Sequence, residues 1–152
     1  MMRSAESSRW SVVLTVVALA AALAVAFAAV ASADPWPTLR SGTWEYKRTM
    51  VRSDQPGKPI VVTKRKCGNP AEDMKRQNAQ LTAAGCRFSP VRQAGNTYTY
   101  SARCSIGGVQ MESRSTLTVE SPGAYRLLVQ SREGGATSQE TLVARRVGDC
   151  AK

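Results

Sequence analysis

The chain contains no histidine. That removes the side chain most often used as a general acid or base near neutral pH, the usual partner of a serine or cysteine nucleophile, and the commonest metal ligand. No Cys-x-x-Cys pair occurs among its four cysteines, which excludes zinc-ribbon and thioredoxin-type sites. No glycine-rich phosphate loop follows a strand pattern, because Gly107-Gly108 and Gly134-Gly135 fall where hairpin turns are expected. Acidic residues are few, and the only adjacent pair, Glu72-Asp73, sits at a helix start that explains it. The one catalytic arrangement left would be a carboxylate pair drawn from distant strands, such as Glu45 with Glu112 or Glu120. The expectation is a protein that is not an enzyme and needs no metal or cofactor. Aromatics are scarce too, at 6% of residues, so the places where they recur carry weight.

What is present begins with an address. Arg3 and Arg9 precede an apolar run, Val12 to Val30, broken only by Thr15, and Ala31-Ser32-Ala33 supplies the small residues of a cleavage site. This is the layout of a secretory signal peptide over residues 1–33, cut before Asp34. An uncleaved anchor is the competing reading, since about 20 apolar residues can span a bilayer. The alanine content of the run and the well-formed small-residue site favour cleavage. Removing 33 of 152 residues leaves 119, enough for one domain over 34–152 and too few for two. That domain carries 19 Lys and Arg against 10 Asp and Glu, a formal charge of +9.

Beyond Cys86 the pattern is an antiparallel meander. Thr97 to Cys104 alternates strictly, placing Tyr98, Tyr100, Ala102 and Cys104 on one face. Val109 to Glu120 repeats this with Val109, Met111, Leu117 and Val119 inward and two serines, Ser113 and Ser115, on the same side. Turns separate the runs at 94–96, 106–108, 121–123 and 134–135, with glycine or asparagine where positive φ is needed. Earlier in the chain, an extended lead-in with Pro35 and Pro37 precedes a strand carrying Trp44, Tyr46 and Met50 on one face. Ile60 to Cys67 is a second strand whose basic residues mark an edge or an outward face. Asn69-Pro70-Ala71-Glu72 has the capping chemistry of a helix start, and Gly85 marks the latest point at which the helix ends. The fold class predicted is mainly β (α+β): a curled antiparallel meander sheet of six to seven strands, with one short helix and two disulfides.

Four cysteines in a small exported domain are read as two disulfides. Of three possible connectivities, Cys67 with Cys86 and Cys104 with Cys150 is the expected one: the first pins the helical excursion and the second ties a central strand to the chain's end. A helix running all the way to Ala84 would be about 22 Å long and would hold Cys67 and Cys86 almost too far apart to bond. Two candidate surfaces follow from the pattern. Trp44, Tyr46, Tyr98 and Tyr100 recur at period two and form either core or the lining of a concave ligand site. Lys64, Arg65 and Lys66 are the densest basic cluster and suit an anionic lipid, lipopolysaccharide or an envelope protein; nucleic acid is not expected outside the cell.

The arrangement Gly42-x-Trp44-Glu45, Cys67-Gly68-Asn69-Pro70-Ala71-Glu72-Asp73, the Gly95-Asn96-Thr97 hairpin before Cys104, Gly107-Gly108 and the terminal Arg145-Arg146-Val147-Gly148-Asp149-Cys150 resembles the small exported bacterial proteins grouped as domain of unknown function 3617. The resemblance spans nearly all of residues 34–152. It implies the periplasm and a β-rich fold, and it brings no activity or catalytic residues. The functional expectation is an exported envelope protein, not an enzyme, that binds an anionic envelope component or a partner protein. The alternatives are a structural or stress-related accessory protein, or a binder of an apolar ligand on the concave sheet face. Intact-mass measurement on exported material should show a chain that begins at Asp34; a membrane-bound species retaining Met1 would refute cleavage.

Overall fold

The computed structural model describes residues 35–151. The signal-peptide reading of residues 1–33 lies outside them. Eight strands and one helix follow in the order β1 (Gly42–Arg52), β2 (Ile60–Gly68), α1 (Pro70–Ala83), β3 (Cys86–Phe88), β4 (Arg92–Ala94), β5 (Thr97–Ile106), β6 (Val109–Ser121), β7 (Ala124–Glu133) and β8 (Ala136–Gly148). All pairings are antiparallel, and the sheet order is β2-β1-β8-β7-β6-β5-β3, with the three-residue β4 also pairing with β5. The count exceeds the expected six to seven because the edge beside β5 is built from two short pieces, β3 and β4.

The register carries one apolar face across the whole sheet. Trp44, Tyr46 and Arg48 of β1 lie level with Arg146, Ala144 and Leu142 of β8, and Tyr125, Leu127 and Val129 of β7 continue the same rows into Leu117 and Ser115 of β6. Tyr98, Tyr100, Ala102 and Cys104 complete the face on β5, as the alternation requires. The opposite face is polar and basic, with Arg103, Arg114, Arg126, Arg132 and Arg145 among its residues. Val62 from one edge strand and Phe88 from the other line a single cavity, so the sheet curls around its apolar side without closing.

At one end of this inner face the core is dense. Trp44, Leu117 and Ala144 are fully buried, and Leu39, Ala71 and Tyr125 nearly so. Trp44 packs on Tyr125 at 5.8 Å between ring centroids, and its indole N–H donates to Arg40 O at 3.0 Å. The lead-in before β1 is fixed by Arg40 N–H donating to Pro122 O at 2.9 Å. Gly42 is required where it stands: φ is +152°, and a Cβ there would lie 2.5 Å from Gly148 O and against the Arg146 side chain. This close approach is the physical content of the Gly-x-Trp pattern.

The helix leaves the end of β2 at one edge and arrives at β3 on the other, crossing the concave side. Asn69 caps it, accepting from Ala71 N–H at 3.0 Å and donating through Nδ2 to Leu39 O at 2.9 Å, so the cap also ties helix to lead-in. Ala71 enters the main core, Met74 packs against it, and Leu81 packs against a second cluster of Cys86, Ala102 and Cys104. Gly85 ends the helix at φ +109°, where a Cβ would sit 2.7 Å from Ser105 O.

The disulfides are Cys67–Cys150 and Cys86–Cys104, correcting the expected pairing of Cys67 with Cys86 and Cys104 with Cys150. The cause is the helix. It runs unbroken for 14 residues, about 21 Å, and delivers Cys86 to the edge opposite Cys67. There Cys86 is the direct cross-strand partner of Cys104, with Cα atoms 3.9 Å apart. Cys67 and Gly148 both lie level with Thr43, from β2 and β8 respectively, which places Cys150 within reach of Cys67. Non-reducing peptide mapping should yield exactly these two links. On the chain-entropy model their loops, with separations of 83 and 18 residues, stabilise by about 4.5 and about 3 kcal/mol, so Cys150→Ala should cost roughly the former in denaturant titration.

Candidate functional site

Curling the sheet under a diagonal helix leaves the far half of the apolar face unfilled. A cavity of about 790 Å³ lies between them. Its walls are Tyr46, Leu127 and Leu142 from the centre of the sheet, Met74 and Leu81 from the helix, and Phe88, Tyr100 and Met111 from the opposite side. Ser113 and Ser115 are the polar positions of its floor; they are the two inward serines of the β6 pattern. Tyr100 is held by rings on two sides, Trp36 of the lead-in at 5.6 Å edge-on and Phe88 at 6.4 Å. The volume falls in the range of small-molecule sites, roughly 300–1,000 Å³.

The charged residues along the cavity are mostly neutralised in place. Arg48 pairs with Glu140 at 3.0 Å, and Lys66 pairs with Asp73 of the helix at 2.7 Å, where Asp73 also holds Arg76. Lys64 lies level with Tyr46 across the β1–β2 pair and makes no ion pair among the described residues. It is therefore the cation that the cavity wall leaves to solvent or to a ligand.

The hydroxyls inside are neutral. Burial first, then the nearby Asp73 carboxylate, pushes the Tyr46 phenol up to about 12. Tyr125 is raised further, again chiefly by burial, with Tyr46, Asp73 and Tyr100 adding to it. Tyr100 is raised by burial, against a hydrogen bond with Ser115 that lowers it. At physiological pH these groups stay protonated and act as hydrogen-bond donors, not bases.

The predicted site residues separate. Of the four aromatics, Tyr46 and Tyr100 line the cavity, Trp44 is core, and Tyr98 packs partly buried against the core. The basic cluster is divided by strand alternation: Lys64 and Lys66 share the face of Tyr46 and Trp44, whereas Arg65 points the other way and bonds Glu45 at 2.7 Å. Glu45 is not brought together with Glu112 or Glu120. Glu120 stands three strands away, about 14 Å, beside Arg126, and Glu112 lies on that same strand a further eight residues, about 26 Å, along it; Glu45 and Glu112 each sit beside an arginine, Arg65 and Arg103. Among the described residues no three Cys, Asp or Glu side chains gather as a metal site. Met74, Leu81, Phe88, Met111 and Leu142 went unread as lining, although each sits at an inward position of its own periodic pattern.

A family model described as protein of unknown function (DUF3617) matches residues 39–150, and the chain belongs to that family. No curated protein and no solved structure matches it. The match begins at Leu39, under the helix start, and ends at Cys150, whose disulfide holds that start. Its boundaries are those of the clasped unit.

A phenol whose folded pKa lies above its unfolded value of about 10 favours the folded state fully below that pH and loses the advantage as pH rises toward the folded value. Spectrophotometric titration of the native protein should show tyrosine ionisation delayed past pH 10 relative to the unfolded chain. Stability should fall between about pH 10 and about 12, and Tyr125→Phe should reduce that fall.

Proposed function

We propose that this protein is an exported, non-enzymatic component of the cell envelope that binds an anionic amphiphile in the helix-covered cavity. The observation that carries the reading is a space of about 790 Å³ with a mostly apolar wall, beside which Lys64 makes no ion pair among the described residues. Apolar walls reward burial of a hydrocarbon by about 25 cal/mol per Å². The inner ion pairs Arg48–Glu140 and Lys66–Asp73 satisfy each other, so Lys64 remains for an acidic head group. The leader of residues 1–33 and two disulfides, which form and persist in oxidising compartments, support the periplasm as the setting. No helix among the described residues is long and apolar enough to cross a membrane.

Binding should be followed by tryptophan fluorescence, because Trp36 rests on Tyr100 at the cavity wall. Oleate, kept below its micelle concentration, should bind and quench or shift the emission. Leu142→Trp, which fills the cavity, should weaken binding at least tenfold. Lys64→Glu should weaken it about threefold to tenfold and remove its salt dependence. Absence of oleate binding, or binding unchanged in Leu142→Trp, would leave the structural-accessory reading in its place.

A further inference from the structure

The polar face of the sheet carries a second depression, of about 940 Å³, beside the turn between β1 and β2. Three arginines of the polar face line it, Arg103, Arg114 and Arg132, and no lysine does. Sheet order assembles them from distant parts of the sequence. Arg103, Glu112 and Arg132 form one cross-strand row over β5, β6 and β7, and Ser101, Arg114, Gln130 and Gln139 form the adjacent row. Arg103 and Arg132 are two strands apart, about 10 Å, and Arg114 stands one same-face step, about 7 Å, from the centre of their row.

Their partners are few and weakly held. Arg103 meets Glu112 at 3.0 Å with both side chains mostly exposed, 83% and 65%. Arg114 and Arg132 make no ion pair among the described residues. An exposed pair such as Arg103–Glu112 contributes little to stability, so an incoming anion displaces it at little cost. Arginine in place of lysine matters here. The guanidinium presents a planar fork that binds phosphate through two parallel hydrogen bonds, whereas lysine offers a single point charge. The residues between the arginines, Gln130, Gln139, Ser101 and Thr137, add amide and hydroxyl groups that can meet the hydroxyls of a sugar.

We propose that this arginine saddle is a binding site for a phosphorylated sugar bearing two phosphate groups about 10 Å apart or less. Arg132 and Arg114 hold one phosphate, Arg103 receives the other, and the glutamines and hydroxyls face the sugar between them. The same chemistry is offered by a soluble sugar bisphosphate and by the phosphorylated head group of an envelope glycolipid. The site lies on the face opposite the cavity and does not depend on the amphiphile reading.

The test uses the protein expressed from its full chain, with glucose 1,6-bisphosphate as the soluble probe and vesicles doped with a bisphosphorylated glycolipid as the surface probe. Calorimetry and vesicle co-sedimentation read the two arms, and backbone amide shifts locate the contact. Binding in either arm, weakened at least tenfold by Arg114→Glu with Arg132→Glu and unchanged by Leu142→Trp, supports the site, and the arm that binds identifies the source. Glucose itself should not bind. The milder Arg114→Gln with Arg132→Gln keeps the test open if charge reversal disturbs folding, and it should weaken binding about threefold to tenfold. No binding in either arm, or binding insensitive to both double variants, overturns the proposal.

Discussion

Both ends of one helix are bonded to the sheet that it crosses, and most of the structure follows from that constraint. Cys67 lies two residues before the cap and is tied to the end of β8 through Cys150; Cys86 follows the helix and is tied to β5 through Cys104. A 14-residue helix spans about 21 Å, so it acts as a strut of fixed length between the two edges. The sheet must curl to meet it. The two edges are left as β2, rich in Lys and Arg, and the short pieces β3 and β4, which are the forms in which exposed edges resist pairing with other chains. A roof fastened at both ends also means that the cavity beneath it is preorganised, which lowers the ordering cost of any ligand.

The residues on which the resemblance to this family was read belong to that fastening and not to the cavity. Gly42 allows β1 to press against Gly148, Trp44 fills the core and bonds Arg40, and Asn69 caps the helix while holding Leu39. At the chain's end Arg146 donates to Ser41 O at 2.8 Å and pairs with Asp149, whose carbonyl accepts from Thr43 Oγ1 at 2.8 Å, just before Cys150 enters its bond with Cys67. All of these meet at the end of the sheet where the helix begins. The Gly-x-Trp start and the Gly-Asp-Cys end therefore identify a scaffold. The cavity walls and the outer arginines lie mainly at positions those motifs do not include.

Strands, turns and helix start were legible because each depends on local chemistry: period-two alternation, glycine at the turns, Asn-Pro at the cap. The disulfides were not, because connectivity turned on one quantity that the residues left open, the length of the helix. Gln80, Thr82 and Ala83 carry no stop signal before Gly85, and the conflict between a full-length helix and a Cys67–Cys86 bond was visible; the helix won. In the site, Tyr46 and Tyr100 were readable as inward aromatics, and the division of Lys64 and Lys66 from Arg65 was implicit in the same alternation. The arginine saddle was not readable. Arg103, Arg114 and Arg132 are neighbours only because β5, β6 and β7 pair in the register found, and a slip of one residue would send them to the other face.

Charge is distributed over the two faces by a difference in cost. Against the cavity, an unpaired ion loses water without recompense, and the cations there are paired: Arg48 with Glu140, Lys66 with Asp73. On the outer face solvent carries that cost, and Arg114 and Arg132 stand there with no ion pair among the described residues. The basic excess of the domain therefore accumulates where it is cheap to keep and accessible to an anion. Lys64 breaks the rule: it is on the inner face, at an edge strand, with an apolar cavity beside it and no counter-ion from the described residues. An edge position lets its long side chain reach water, which makes the exception tolerable. It also makes Lys64 the one point at which an acidic group could join the inner face without displacing a partner already there.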